Sequence, residues 1–174
     1  ILLVQSSILA LQRLARSHRK NFSIPVIGIT GSNGKTIIKE WLYQLLSPDY
    51  RIVKNPGSYN SQIGVPLSVW QMQPHHEMAL FEAGISMHDE MTALKDVILP
   101  TIGIFTNIGT AHDEGFSTLK QKIEEKLKLF PDVKKLIYCY DHEPIRKSMA
   151  TTAIPSFSWG KNSRADMQVT PSGH

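Results

Sequence analysis

Gly31, Ser32, Asn33, Gly34, Lys35 and Thr36 follow the short apolar run Val26 to Thr30 and lead directly into a segment of helical spacing. That context, strand then glycine loop then helix, is what a phosphate-binding loop requires. Gly31 and Gly34 let backbone N–H groups turn inward onto anionic oxygens, and the start of the following helix adds partial positive charge. Lys35 offers a point charge to the β and γ phosphates of a nucleotide, and the Thr36 hydroxyl is placed to reach a Mg²⁺ ion. The strict pattern has glycine at position 29, where Ile29 stands, so this is a variant loop. Its bland counterpart is a plain glycine turn.

Three further stretches carry polar chemistry. A strand over 78–83 ends in Glu82, Ala83 and Gly84, and a carboxylate closing an apolar strand either finds a partner such as Mg²⁺ or emerges into solvent. The run Thr106, Asn107, Ile108, Gly109, Thr110, Ala111, His112 leaves another strand; His112 is a metal or phosphate contact, or else a capped loop residue. Residues 55–66 form a polar connection long enough to bind something, with Asn60 and Ser61 its best donors. Lys126 lies near Leu119 and Phe130 on the flank of an apolar helical stripe, but Lys120 flanks that stripe equally well, so spacing does not single out Lys126. An ordinary lysine laying its stem along the stripe accounts for it too.

The elements that must position these groups alternate. Nearly continuous apolar runs at 26–30, 78–83, 101–106 and 136–140 have the pattern of strands buried on both faces. Helical spacing occupies 35–46 and 117–130, with shorter candidates at 9–18, 65–72, 88–97 and 143–150. In 35–46 the residues Ile37, Ile38, Trp41, Leu42, Leu45 and Leu46 are expected to form one buried stripe. The fold class is therefore α/β, a mostly parallel sheet flanked by helices, with ligands bound beyond the carboxyl ends of its strands.

Composition narrows the function further. In 174 residues there are 19 Lys and Arg against 15 Asp and Glu, a net charge of +4, and 41% hydrophobic residues. This excludes a disordered tail or a coiled coil, and the scattered basic residues give little support to nucleic-acid binding. One cysteine excludes a disulfide framework and a cysteine zinc site. No apolar run has the length of a membrane span, and the basic residues of the opening stretch follow its apolar ones, the reverse of a secretory signal. A cytoplasmic protein is expected, and a chain opening on Ile1 reads as a piece of something longer.

Three blocks resemble the Mur ligases, the ATP-dependent enzymes that build the peptide of bacterial peptidoglycan. They are Thr30 to Thr36, the stretch from Gly57 to Ile63, Gly64, Val65 and Pro66, and Thr106 to His112. The last block is similar to the branch of the family that adds D-alanyl-D-alanine to UDP-N-acetylmuramoyl-tripeptide, and Glu82, Ala83 and Gly84 with Asp89, Glu90 and Met91 resemble the family's glutamate strand. The resemblance implies a P-loop NTPase-like central domain over 20–174, incomplete at its C-terminal end. Residues 1–19 would then be a hinge helix from a preceding UDP-binding domain, and the C-terminal domain would be absent. By the same resemblance Lys35 and the loop backbone from Gly31 to Thr36 bind ATP, and Thr36, Glu82 and His112 surround Mg²⁺. Lys126 falls where the family has a lysine that becomes a carbamate by reaction with CO₂ and then meets the metal, which would make Lys35, His112 and Lys126 the catalytic groups. Asn60 and Ser61 fall where the family contacts substrate. Ser58 and Ser61 stand where the family has Asn, and Leu127 and Lys128 stand where Gly and Glu follow its modified lysine. The partners implied are the UDP-muramyl-tripeptide and D-alanyl-D-alanine, acting on a monomer. The competing readings are another Mur-type or folylpolyglutamate-type amide ligase, whose third block should differ, and a P-loop module that binds nucleotide without ligating.

Overall fold

The structure, a computed structural model, describes residues 3–109 and 115–170. Thirteen elements follow in the order α1 (Ser7–Arg19), β1 (Val26–Thr30), α2 (Lys35–Leu46), β2 (Ile52–Lys54), α3 (Gly64–Val69), β3 (Met78–Glu82), α4 (Glu90–Ile98), β4 (Ile102–Phe105), α5 (Leu119–Leu127), β5 (Lys135–Cys139), α6 (Glu143–Met149), β6 (Ser156–Gly160) and β7 (Met167–Gln168). The strands form one sheet in the order β2-β3-β1-β4-β5-β6-β7, and every pairing is parallel. β1 sits between β3 and β4, with Ile29 opposite both Glu82 and Ile104. All its residues are buried, as continuous apolar character demands of a strand covered on two faces.

The larger core lies on one side of the sheet. There Phe81, Phe105, Leu136 and Tyr138 meet Val65 and Val69 of α3, Met91 and Leu94 of α4, Ile123 of α5 and Ile145 of α6. At roughly 1.5–3 kcal/mol for each large apolar side chain buried, this side supplies most of the stabilisation. α1 packs against α3 and α4, and its Arg19 fastens it by donating to the carbonyls of Ile98 and Leu99 at 2.8 and 3.0 Å.

On the other side Ile27, Ile29 and Leu80 are covered by Ile38 and Leu42 of α2. The expected six-residue stripe of α2 is only partly buried, because Ile37, Trp41 and Leu45 are 57%, 62% and 73% exposed. What α2 fully buries is a charged residue, Lys39. Beyond α2, among the described residues, this sheet face is only partly covered: Ile137 pairs with Phe157 and Cys139 with Trp159, which in turn pairs with Met167. Phe157, Trp159 and Met167 are 36%, 40% and 49% exposed.

Candidate functional site

The loop between β1 and α2 has the shape its glycines foretold. Gly34, just before α2, has φ +78, and Gly31 has φ +148 with its α-carbon so close to the Thr106 hydroxyl that a side chain there would collide. Only glycine combines that backbone with that approach. Hydrogen bonds tie the loop to the exit of β4: Ser32 N–H to the Asn107 carbonyl at 2.9 Å, Asn33 N–H to Asn107 Oδ1 at 2.9 Å, Thr106 Oγ1 to the Asn33 carbonyl at 2.6 Å, Gly109 N–H to Ser32 Oγ at 3.0 Å, and Ser32 Oγ to the Gly109 carbonyl at 3.2 Å. Lys35 folds back over the loop, donating to the carbonyls of Gly31 and Ser32 at 2.9 and 3.2 Å. Burial lowers its pKa, Lys122 lowers it further, and the Glu82 charge opposes both. Thr36 is the second residue of α2 and half-buried.

Glu82 does not emerge into solvent. It is fully buried at the end of β3, and its Oε1 accepts from Asn60 Nδ2 at 3.1 Å. Gly84 presses against the same Asn60 side chain, so the β3 exit and the 55–66 connection close on each other. Their hinge is Asn55, 0% exposed, whose Oδ1 accepts from the Glu82 N–H and whose Nδ2 donates to the Tyr59 carbonyl, both at 2.6 Å. Asn55→Ala leaves the buried Glu82 N–H and the part-buried Tyr59 carbonyl without these partners, so a stability loss of about 1–3 kcal/mol is expected in denaturant titration. Ser61 Oγ accepts from the Gly64 N–H at 3.2 Å and caps the turn into α3.

Lys126 is not a surface lysine lying along a stripe. It is 2% exposed, and its Nζ comes within 3.4 Å of the Gly31 carbonyl. Lys120, the alternative on the same helix, has a side chain 81% exposed. Burial, with the charges of Lys35 and Lys122 added, pushes the Lys126 pKa down to about 7. A cleft of about 390 Å³ is lined by Lys35 and Lys126 on one side and by Asn60, Ser61, Gly84 and Glu90 on another. His112 and Thr110 lie outside the described residues.

Sequence reasoning missed two buried lysines. Lys39 donates to the Asn55 carbonyl at 2.9 Å and to the Gly57 carbonyl, and Lys122, 1% exposed, donates to the Gly109 carbonyl at 2.6 Å. Lysine is so seldom fully buried that composition gives no signal for such a site. On α2, Lys39 falls only at the edge of the apolar stripe, beside Leu42 and Leu46.

The residues fit a hard divalent cation. Glu82 Oε2 is buried without a hydrogen bond, a state that is costly unless another group takes the oxygen. An oxygen ligand at a phosphate loop matches Mg²⁺, which is held by one or two protein oxygens together with phosphates. Among the described residues no group of three or more His, Cys, Asp or Glu comes together, so a closed all-protein cage for another metal is absent there.

Comparison with known proteins agrees with this geometry. The model of the Mur ligase middle domain matches residues 29–173. The UDP-N-acetylmuramoyl-tripeptide–D-alanyl-D-alanine ligase of Bacillus subtilis is 32% identical over 171 residues, which are 97% of this chain and 37% of that protein. The ligase of the same name from Borreliella burgdorferi is 43% identical over 128 residues, covering 74% and 28% respectively. The crystal structure of the MurF ligase from Thermotoga maritima in complex with ADP superposes with a TM-score of 0.85 at 32% identity, over 94% of this chain and 39% of that one. The chain thus spans less than two-fifths of these relatives. With one family's model running from the first strand through the last, and these relatives aligned with most of its length, the chain belongs to the Mur ligase middle-domain family.

Proposed function

We propose that the chain is the ATP-binding central domain of a cytoplasmic ligase that joins D-alanyl-D-alanine to UDP-N-acetylmuramoyl-tripeptide through an acyl phosphate. The observation that carries this reading is the convergence of the Gly31–Thr36 loop, buried Glu82 and buried Lys126 at the carboxyl edge of one sheet, with Lys35, Lys126 and Asn60 sharing one cleft. The likeness to a MurF ligase solved in complex with ADP supports nucleotide binding by this chain. Residues 1–19 would lead in from a UDP-binding domain, with a further domain after this one.

A carboxylate resists attack by an amine because its oxygen is a poor leaving group. Phosphorylation by the γ-phosphoryl group of ATP makes that oxygen leave as phosphate when the dipeptide amine attacks. Negative charge spreads over the phosphoryl oxygens in the transition state, where the α2 N-terminus and the Lys35 ammonium, turned from the Gly31 and Ser32 carbonyls toward the phosphates, would stabilise it. Bound Mg²⁺ would neutralise part of the phosphate charge, with Thr36, Glu82 and His112 as its protein contacts and Lys126 joining them as a carbamate. Asn60, held by Glu82, and Ser61 would orient the acceptor carboxylate at the cleft mouth. No protein nucleophile is required.

In a full-length protein carrying this domain, phosphate release is expected only when ATP, the UDP-muramyl-tripeptide and D-alanyl-D-alanine are all present. The isolated 174-residue chain is expected not to ligate. Release from nucleotide alone at the full rate would make the domain a non-ligating switch, and release with other acid and amine pairs would assign it to another amide ligase.

A further inference from the structure

Lys39 lies one helical turn beyond Lys35, yet it points into the protein and its side chain is 0% exposed. Burial of an ammonium is unfavourable unless charge and hydrogen bonds compensate it. Its donors are given to two carbonyls, those of Asn55 and Gly57, which fix the ammonium in place. Glu82 Oε2 lies 3.8 Å away and Glu40 Oε1 3.5 Å away. Glu40 is itself engaged by Lys54 at 2.7 Å on the outer side, so Glu82 is the fully buried anion that Lys39 faces. The result is a carboxylate with a counter-charge but no hydrogen bond on Oε2, leaving that oxygen's lone pairs unengaged.

We infer that Lys39 is the resident counter-ion of Glu82, and that it admits a divalent cation to this carboxylate only when the cation arrives with polyphosphate. The inference rests on the function proposed above. A fixed ammonium neutralises Glu82 when the site is empty, which keeps the β3 exit and the Asn55 turn together. A divalent ion arriving alone would meet one carboxylate already matched by Lys39, with the Lys35 ammonium also close enough to feel the Glu82 charge. The excess positive charge would oppose it. Phosphates settling on the Gly31–Thr36 loop supply the missing negative charge and reverse that balance. Lys39 touches no reacting atom in this scheme; it is a positioning residue.

The test uses the 174-residue chain and Mn²⁺, whose binding is followed by electron paramagnetic resonance and by the shift in thermal midpoint. The wild type is expected to bind Mn²⁺ weakly alone, and Lys39→Met is expected to bind it about tenfold more tightly without nucleotide. A folded Lys39→Met chain with wild-type Mn²⁺ affinity overturns the inference. Should Lys39→Met not fold, adding Glu82→Gln is expected to restore folding, because the unmatched charge is removed; no gain from the second substitution overturns the inference equally. A separate arm adds ADP to wild type with Mn²⁺. No midpoint shift there counts against the proposed function, while the metal-only comparison still decides the role of Lys39.

Discussion

Lys35→Ala in a full-length ligase carrying this domain is expected to reduce kcat by about a hundredfold to a thousandfold while leaving the nucleotide-free protein nearly as stable as wild type. The size follows from the role proposed for it: a charge that stabilises developing phosphoryl charge is worth on the order of a hundredfold to a thousandfold in rate. The small stability effect follows from the environment. The Lys35 ammonium is held by two carbonyls of its own loop, packs no apolar core, and has its pKa lowered chiefly by burial, so its charged form is disfavoured there. Losing it removes two hydrogen bonds but also a desolvated charge. A destabilisation above about 2 kcal/mol in urea titration would make the residue structural, since losses that large need a core or network to be broken.

Lys126→Ala is expected to lose most ligase activity, and short carboxylic acids added to the assay should restore part of it by standing in for a carbamate. Only the neutral amine attacks CO₂, and a pKa brought down to about 7 leaves a large neutral fraction at physiological pH. Wild-type activity should fall when CO₂ and bicarbonate are stripped from the buffer. The same shift has a stability sign. An ordinary lysine near 10.5 holds its proton in the unfolded chain, whereas folded Lys126 gives its proton up from about 7, so folding sheds a proton between these values. Stability relative to Lys126→Met should therefore rise with pH across that window, and the full penalty should be felt below it. Retention of activity by Lys126→Ala within about tenfold, near 1.4 kcal/mol of barrier, would reduce the lysine to a buried packing residue. Leu127 and Lys128, where the family carries Gly and Glu, would then have been the better guide.

What the sequence made legible divides along burial. β1, β3, β4 and β5 are continuous apolar runs and were read within a residue or so of their ends, because strands covered on both faces tolerate nothing else. β2 has three residues between Arg51 and Asn55, and β6 alternates serine with aromatics on a half-covered face, so neither gives that signal. The phosphate loop was legible because its glycines are dictated by local backbone geometry. Lys39 and Lys122 were not, since a lysine on a helix is placed by tertiary partners such as the carbonyls of Asn55 and Gly109, which spacing along one helix does not encode. Lys126 lay between these cases: helical spacing allowed it or Lys120, and packing of α5 beneath the loop at Gly31 chose it.

The partly covered half of the sheet bears on how the domain behaves among its own copies. Phe157, Trp159 and Met167 form a water-facing apolar surface on a molecule whose repulsion from like molecules rests on a net charge of only +4. At physiological ionic strength that repulsion fades over roughly 8 Å. Excluded salts such as sulfate go further, since they also raise the tension between water and apolar surface. Salting-out and charge screening thus act in the same direction here, and the colloidal stability of the isolated domain falls as ionic strength rises.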